Sequence, residues 1–254
     1  MFINTISNSK RDTFNQCKLK YRYKYVDRLK EYDLSNTDAL HFGSYIHKIF
    51  EDGAAESDLS ALNRLAEEHK STYKFSASYN PKVEPCLKNF LRLNASFPEV
   101  GISELHFDLE VSDGITLNGY IDRIIKGKDG GYLVIDYKTG KREKSKVELY
   151  QDPQLKGYVY AVHKLYNVPF NKITAAHYYP LTDNFVNVQY TSNQIHAHIK
   201  YVVDDVWKIR KSKKEDLVPM RNNFCNWCQY KSLCPEFTES CLVEHRIKEA
   251  KKKN

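Results

Sequence analysis

Residues 104–138 constrain the fold more than any other stretch. "ELHFDLEV" (Glu104 to Val111) alternates at period two, "ITLNGYIDRII" (Ile115 to Ile125) is β-rich, and "GYLVIDYK" (Gly131 to Lys138) is a third run. Period-two alternation is that of a half-buried strand. The links around "SDG" and "KGKDGG" hold hairpin residues. Links that short join antiparallel neighbours, because a parallel return needs a dozen residues or more. Three such strands in succession form an antiparallel meander.

Helical patterns lie on both sides of it. Residues 7–29 read as a helix capped by Ser7 or Ser9. Further helices are expected over 39–55, 59–73 and 82–96, the last bracketed by Pro81 and Pro85 before and Pro98 after. Beyond the meander come a helix over 149–166, strands in "KITAAHYYPL" and "FVNVQYT", a helix over 193–211 and a cysteine-bearing segment. The chain is therefore expected to be α/β, with a mixed central sheet between helices. Its 254 residues suffice for one substantial core.

The charge at the end of the third strand asks for an explanation. In "VIDYKTG", Asp136 and Lys138 are two residues apart, so in a strand they share a face. Charges at the end of a buried strand are costly unless paired or used. Asp122, in "GYIDRI", lies on the neighbouring strand of the meander. Two adjacent carboxylates repel unless a cation holds them. Oxygen ligands of that kind suit Mg²⁺ or Mn²⁺, which can polarise a phosphoryl oxygen and activate water. Lys138 beside them could stabilise charge developing on phosphate. D-x-K alone reads more readily as a salt bridge at a strand end. Glu104 and Glu110, on the first strand, read as the polar face of a half-exposed strand as readily as metal ligands.

The formal charge of +7 admits a polyanionic partner. "KLKYRYKYVDRLK" (Lys18 to Lys30) alternates cations with Tyr21, Tyr23 and Tyr25. That pattern suits phosphates and bases together, and it also describes a solvated helix face with aromatics packed beneath. The tail "HRIKEAKKKN" reads as solvated charge. No apolar run is long enough to span a membrane and the N-terminus has no signal-peptide pattern, so a cytoplasmic location is expected, the host's if the chain is virus-encoded. No G-x-x-x-x-G-K-[ST] loop or G-x-S-x-G elbow occurs.

Asp122 followed by Asp136-x-Lys138 on the next strand resembles the PD-(D/E)xK nuclease superfamily. "GSYIHKIFE" places Gly43, His47 and Glu51 at i, i+4 and i+8, similar to the G-x-x-x-H-x-x-x-E element of RecB-type nucleases. "QLKGY" places Gln154 and Tyr158 at i and i+4, similar to the Q-x-x-x-Y element of the same enzymes. The order of the four elements matches throughout. Ile121 stands where many relatives have proline before the first aspartate. The resemblance implies a restriction-endonuclease-like core. It also implies a divalent metal held by His47, Asp122, Asp136 and the Tyr137 carbonyl, with Lys138 assisting the attacking water. Gln154 and Tyr158 would position the lysine or the DNA.

Six cysteines complete the pattern: Cys17, Cys86, Cys225, Cys228, Cys234 and Cys241. Clustered cysteines in an intracellular chain suggest metal or redox chemistry before disulfides. "FCNWCQYKSLCP" is a C-x2-C-x5-C run ending in Cys-Pro. One early cysteine with three late ones resembles the iron–sulfur nucleases of the CRISPR-associated-exonuclease and AddB types. That resemblance implies a [4Fe–4S] cluster on Cys17, Cys225, Cys228 and Cys234, joining the N- and C-terminal elements. Structural zinc takes the same four thiolates, and spacing does not separate the two. Cys241 could replace one ligand, and Cys86 reads as a small buried helix residue.

The expectation is one nuclease domain over 1–254: a helical part over 1–100, the nuclease core over 101–215, and the cysteine segment with its basic tail over 216–254. The expected activity is a Mg²⁺- or Mn²⁺-dependent DNA exonuclease trimming single-stranded or frayed ends, with recombination, repair or replication proteins as partners. The alternatives are a structure-specific endonuclease, or a cluster-stabilised DNA-binding module within a recombination or spacer-acquisition complex.

Overall fold

The structure, a computed structural model, describes residues 3–31, 37–97, 99–239, 242–244 and 246–247. A short strand β1 (Thr5–Ser7) leads into α1 (Asn8–Gln16), α2 (Lys18–Tyr21) and a π-helical turn, Arg22–Val26. Then come α3 (Asp38–Asp52), α4 (Leu59–His69) and α5 (Val83–Ala95), followed by β2 (Ile102–Ser112), β3 (Ile115–Lys126) and β4 (Tyr132–Tyr137). The chain continues as α6 (Lys146–Leu149), α7 (Pro153–Tyr166), β5 (Ile173–Tyr179), β6 (Asn184–Val188) and α8 (Ser192–Lys211).

The sheet has the order β1-β3-β4-β5-β6, with β2 also on β3. β4 pairs antiparallel with β3 and parallel with β5, and β5 pairs antiparallel with β6. The fold is thus a mixed α/β sheet with helices and an antiparallel meander, as the hydrophobic periods require. The parallel step is a crossover through α7. At the β2–β3 tip Gly114 takes φ +64°, a turn conformation glycine adopts without strain.

Backbone contacts divide the chain into two compact units, one of Met1–Asn36, Glu110–Leu117 and Tyr201–Asn254, the other of Thr37–Leu109 and Asn118–Lys200. In the second unit, α3, α4 and α5 bury Phe42, Ile46, Ile49, Phe50, Leu62, Leu87 and Phe90 with Ile125, Ile135, Tyr137 and Tyr178 from the strands. Phe50 stacks on Phe90 at 4.0 Å, and the Tyr137 ring meets Phe50 edge-on at 5.0 Å. Because β4 alternates, burying Ile135 and Tyr137 among these helices sends Val134 and Asp136 to the opposite face. The helix expected over 149–166 starts later, at Pro153, after the short α6. Pro153 cannot donate to a continuing ladder, so α7 starts there, and Asp152 Oδ1 caps it by accepting from Gln154 N (2.9 Å) and Leu155 N (3.0 Å).

In the first unit, the helix expected over 7–29 is broken. Cys17 is extended (φ −158°, ψ 113°). The Leu19 N–H leaves the helical ladder for the Val218 carbonyl at 3.1 Å, so a tertiary bond replaces a local one. Leu19, Tyr23 and Leu29 pack with Tyr230 and Leu233. Tyr23 Oη donates to Leu233 O and Tyr230 Oη to Leu29 O, each at 3.0 Å. Tyr21 and Tyr23 are 1% and 4% exposed, so neither ring is free to stack on a base. Their role is packing. Arg22 and Lys24 from the same run pair with Asp27 and Glu31.

Candidate active site

The β3–β4 register pairs Arg123 with Ile135, and one step further sets Asp122 across from Asp136. Asp122 Oδ2 accepts the Tyr137 N–H at 2.7 Å, which fixes that carboxylate at the strand end. His47 arrives from α3, with Nε2 2.9 Å from the Tyr137 carbonyl and Nδ1 3.5 Å from Asp122 Oδ2. One turn earlier, a Cβ on Gly43 would sit 3.1 Å from Thr139 Oγ1, tighter than ordinary contact. Glycine there lets α3 approach the turn that follows Lys138. Burial works against charge on His47, but Asp122 and Asp136 pull its pKa up to about 9. A position that holds an imidazolium favours a cation.

Lys138 Nζ lies 2.6 Å from Asp136 Oδ2 and donates to Gln154 Oε1 at 3.0 Å. Gln154 Nε2 in turn donates to Tyr158 Oη at 2.7 Å. Burial lowers the Lys138 pKa, but Asp136 outweighs it and the ammonium is held charged. Asp136 is 1% exposed, and burial raises its pKa against the pull of Lys138. Its Oδ2 is ion-paired with the Lys138 ammonium. Glu51, in the same pocket, is tied to Lys48 Nζ at 3.0 Å.

Glu104 belongs here as well. His47, Glu104 and Asp122 each offer a ligand atom within 4.8 Å of one another. Glu104 sits inside β2 with φ +48°, a left-handed conformation uncommon for a residue with a side chain. Burial, then the Asp122 charge, raises its pKa. No periodicity in the sequence signals such a residue. Glu110 has a different task, its Oε1 accepting the Gly114 N–H at 3.1 Å in the hairpin turn. The donor set of imidazole, carboxylates and a backbone carbonyl, without thiols, fits a hard divalent cation such as Mg²⁺ or Mn²⁺.

In the first unit Cys17, Cys225, Cys228 and Cys234 line one cavity, with Lys20, Lys231, Phe224 and Phe237 around it. Burial raises the Cys228 thiol pKa, and the Cys17 and Cys225 thiols add to it. Cys234 is likewise raised by burial, with Cys17 and Cys228 contributing. The Asn222 N–H points at Cys225 Sγ at 3.4 Å. Four convergent thiols in one cavity are a fitting donor set for a thiolate-bound metal group. Cys86 is fully buried in the helical core of the second unit. Cys241 lies outside the described residues, as do the last seven residues of the basic tail.

Among the described residues no helix is long and apolar enough to cross a membrane. The crystal structure of SSO0001 aligns over 93% of this chain and 88% of its own, at a TM-score of 0.45 and 14% identity. An ATP-dependent helicase/deoxyribonuclease subunit from Streptococcus agalactiae serotype Ia is 30% identical over 177 residues, 63% of this chain and 16% of the relative. The protein of the same name from Streptococcus mutans serotype c is 26% identical over 220 residues, 77% of this chain and 20% of the relative. The chain thus spans a fifth or less of the length of these relatives. The family model of the PD-(D/E)XK nuclease superfamily matches residues 5–235, and the chain belongs to that superfamily.

Proposed function

We propose that this protein is a Mg²⁺- or Mn²⁺-dependent deoxyribonuclease, acting as an exonuclease on single-stranded or frayed DNA ends during recombination, repair or replication. The observation that carries the reading is one arrangement. His47, Glu104 and Asp122 offer ligand atoms within 4.8 Å of one another, and the pocket they line also holds Lys138, itself held between Asp136 and Gln154. DNA is the substrate favoured by the names of the helicase/deoxyribonuclease relatives and by the +7 charge. The chain acts as one nuclease domain over 1–254 in this reading.

His47, Asp122, Asp136 and the Tyr137 carbonyl, joined by Glu104, would hold the divalent ion. When bound, that ion supplies Lewis-acid activation of the phosphodiester and a nucleophile at neutral pH. Lys138 keeps its charge and presents it to the oxygen on which negative charge grows. Gln154 and Tyr158 aim that ammonium, and the Tyr137 N–H holds Asp122 in place.

The four-cysteine cavity is read as the site of a [4Fe–4S] cluster with a structural role, stapling the first helices to the cysteine segment. Structural zinc would take the same four thiolates.

The test is anaerobically purified protein with end-labelled single-stranded DNA and Mn²⁺, wild type against Asp136→Ala. Cleavage by the wild type alone supports the nuclease, and stepwise loss from one end supports the exonuclease. Internal cuts would replace the exonuclease with an endonuclease. Tight binding without turnover would leave a DNA-binding module.

A further inference from the structure

The residues of the proposed nuclease site leave unexplained a histidine buried behind them. His177 stands on β5 directly across from Asp136 on β4, and it is 0% exposed. Its Nε2 is 3.6 Å from Asp136 Oδ2 and 3.6 Å from Asp152 Oδ2. His177 Nε2 is buried without a hydrogen-bond partner, while Asp136 Oδ2 in front of it is met by the Lys138 ammonium at 2.6 Å. Orphaned buried polar atoms are rare. A shift of a few tenths of an ångström would satisfy the imidazole.

The surroundings set the tautomer. Tyr179 Oη accepts the Lys144 N–H at 2.7 Å, which leaves its own proton for His177 Nδ1 at 3.3 Å. An imidazole that accepts at Nδ1 carries its proton on Nε2 and donates there. That proton faces the two carboxylates. Asp152 is the cap of α7, and its Oδ2 also takes Lys144 Nζ at 2.6 Å. α7 delivers Gln154, and Gln154 holds Lys138. Asp136 is therefore linked to the start of α7 twice, through Lys138 and Gln154 on one side and across His177 on the other.

We infer that His177 is a positioning residue of the active site. Its Nε2–H bridges Asp136 and Asp152 and sets the spacing between the metal-binding strand and the helix that aims Lys138. The inference rests on the proposed nuclease site, and concerns the orientation of Asp136 within it. Partners of this kind, one shell out from a ligand, typically matter by about 10–100-fold in metal affinity or activity.

The experiment compares His177→Leu, which keeps bulk and loses the donor, with His177→Gln, which keeps an amide N–H near the Nε2 position. Tyr179→Phe removes only the hydroxyl that sets the tautomer. Mn²⁺ affinity is read by electron paramagnetic resonance on DNA-free protein, and kcat and KM on labelled DNA. His177→Leu is expected to weaken Mn²⁺ binding and lower kcat, each by about tenfold, with KM unchanged. His177→Gln should restore most of both, and Tyr179→Phe should show a smaller loss in the same direction. Wild-type Mn²⁺ affinity in His177→Leu overturns the inference. So do equal losses in the Leu and Gln variants with equal falls in Tm, which assign a packing role. If His177→Leu does not fold, an unchanged Tyr179→Phe overturns it. If the wild type itself cleaves no DNA, the nuclease reading falls, and the Mn²⁺ affinities alone decide the role of His177.

Discussion

Gln154 Oε1 accepts a hydrogen bond from Lys138 Nζ at 3.0 Å, while its amide nitrogen donates to Tyr158 Oη at 2.7 Å. The glutamine is held at both ends, so the lysine it holds has one direction. A misplaced charge of this kind costs rate more than binding. Gln154→Leu should slow single-turnover cleavage by roughly tenfold to a hundredfold and leave DNA affinity within about twofold. Tyr158→Phe should lie between the two. A Gln154→Leu enzyme that cleaves at the wild-type rate would remove the glutamine from the site.

Lys138 has a second tie, 2.6 Å to Asp136, with side-chain exposures of 33% and 1%. Lys138→Met should abolish cleavage and leave DNA binding largely intact. It also strands a buried carboxylate. Losing one partner of a fully buried pair costs about 3–5 kcal/mol, and the partial exposure of the lysine reduces that to roughly 2 kcal/mol. Adding Asp136→Asn should recover the stability and none of the activity, because the amide needs no counter-charge. Urea unfolding of the single and double variants checks the first part, and the nuclease assay the second.

Glu104 and Glu110 lie on the same strand and should separate cleanly. Glu104→Gln removes a charge from the group formed with His47 and Asp122. The Mn²⁺ concentration for half-maximal cleavage should rise by roughly tenfold. Glu110→Gln, whose parent carboxylate holds the Gly114 N–H, should leave it unchanged. A metal titration of both variants decides, and equal behaviour would exclude Glu104 as a ligand.

What could be read from the sequence follows what is local. The meander was legible because period two and short turns leave one connection. Asp122, Asp136 and Lys138 were legible as neighbours because that meander sets their register, and the structure brings His47 to them. Glu104 stayed open between ligand and strand face, since nothing local signals the left-handed conformation it takes inside β2. The break at Cys17 follows from a hydrogen bond between Leu19 and Val218, which no window of the sequence contains. Pro153 after Asp152 did carry a helix-start signal, and it outweighs the apolar pattern that runs across it. His177 meets Asp136 through a parallel pairing set by a whole crossover.

The cysteine cavity predicts a stability effect apart from catalysis. Cys17, Cys228 and Cys234 pack against Leu19, Tyr23, Tyr230 and Leu233. If the proposed cluster is bound, Cys228→Ser should lose its absorption and most of the iron, and lower Tm, since ligand binding of this kind is coupled to folding. Cys86→Ser, in the other unit, should keep full iron content. Stoichiometric zinc with no iron in the wild type would replace the cluster with a zinc site.

Asp205 predicts the acid limb of stability. It is 5% exposed, with Oδ2 accepting from Arg11 Nε at 2.6 Å and Asn15 Nδ2 at 3.1 Å, and Oδ1 from Lys208 Nζ at 2.9 Å. Burial pushes its pKa up, but Lys208, Arg11 and Asn15 together carry it below the usual carboxylate value. The unfolded chain therefore takes up this proton more readily than the folded one, so stability from Asp205 rises with pH across that interval. It is complete above the unfolded pKa of about 3.9 and is lost as pH falls through the lower folded value. Asp205→Asn removes the titration and leaves Arg11 without its charge partner. The variant should be less stable at pH 7 by roughly 1–3 kcal/mol, and its deficit should shrink as pH falls below about 4. Urea midpoints for both proteins at pH 7, 4 and 3 give the measurement, and a deficit that stays constant with pH would remove Asp205 from the acid response.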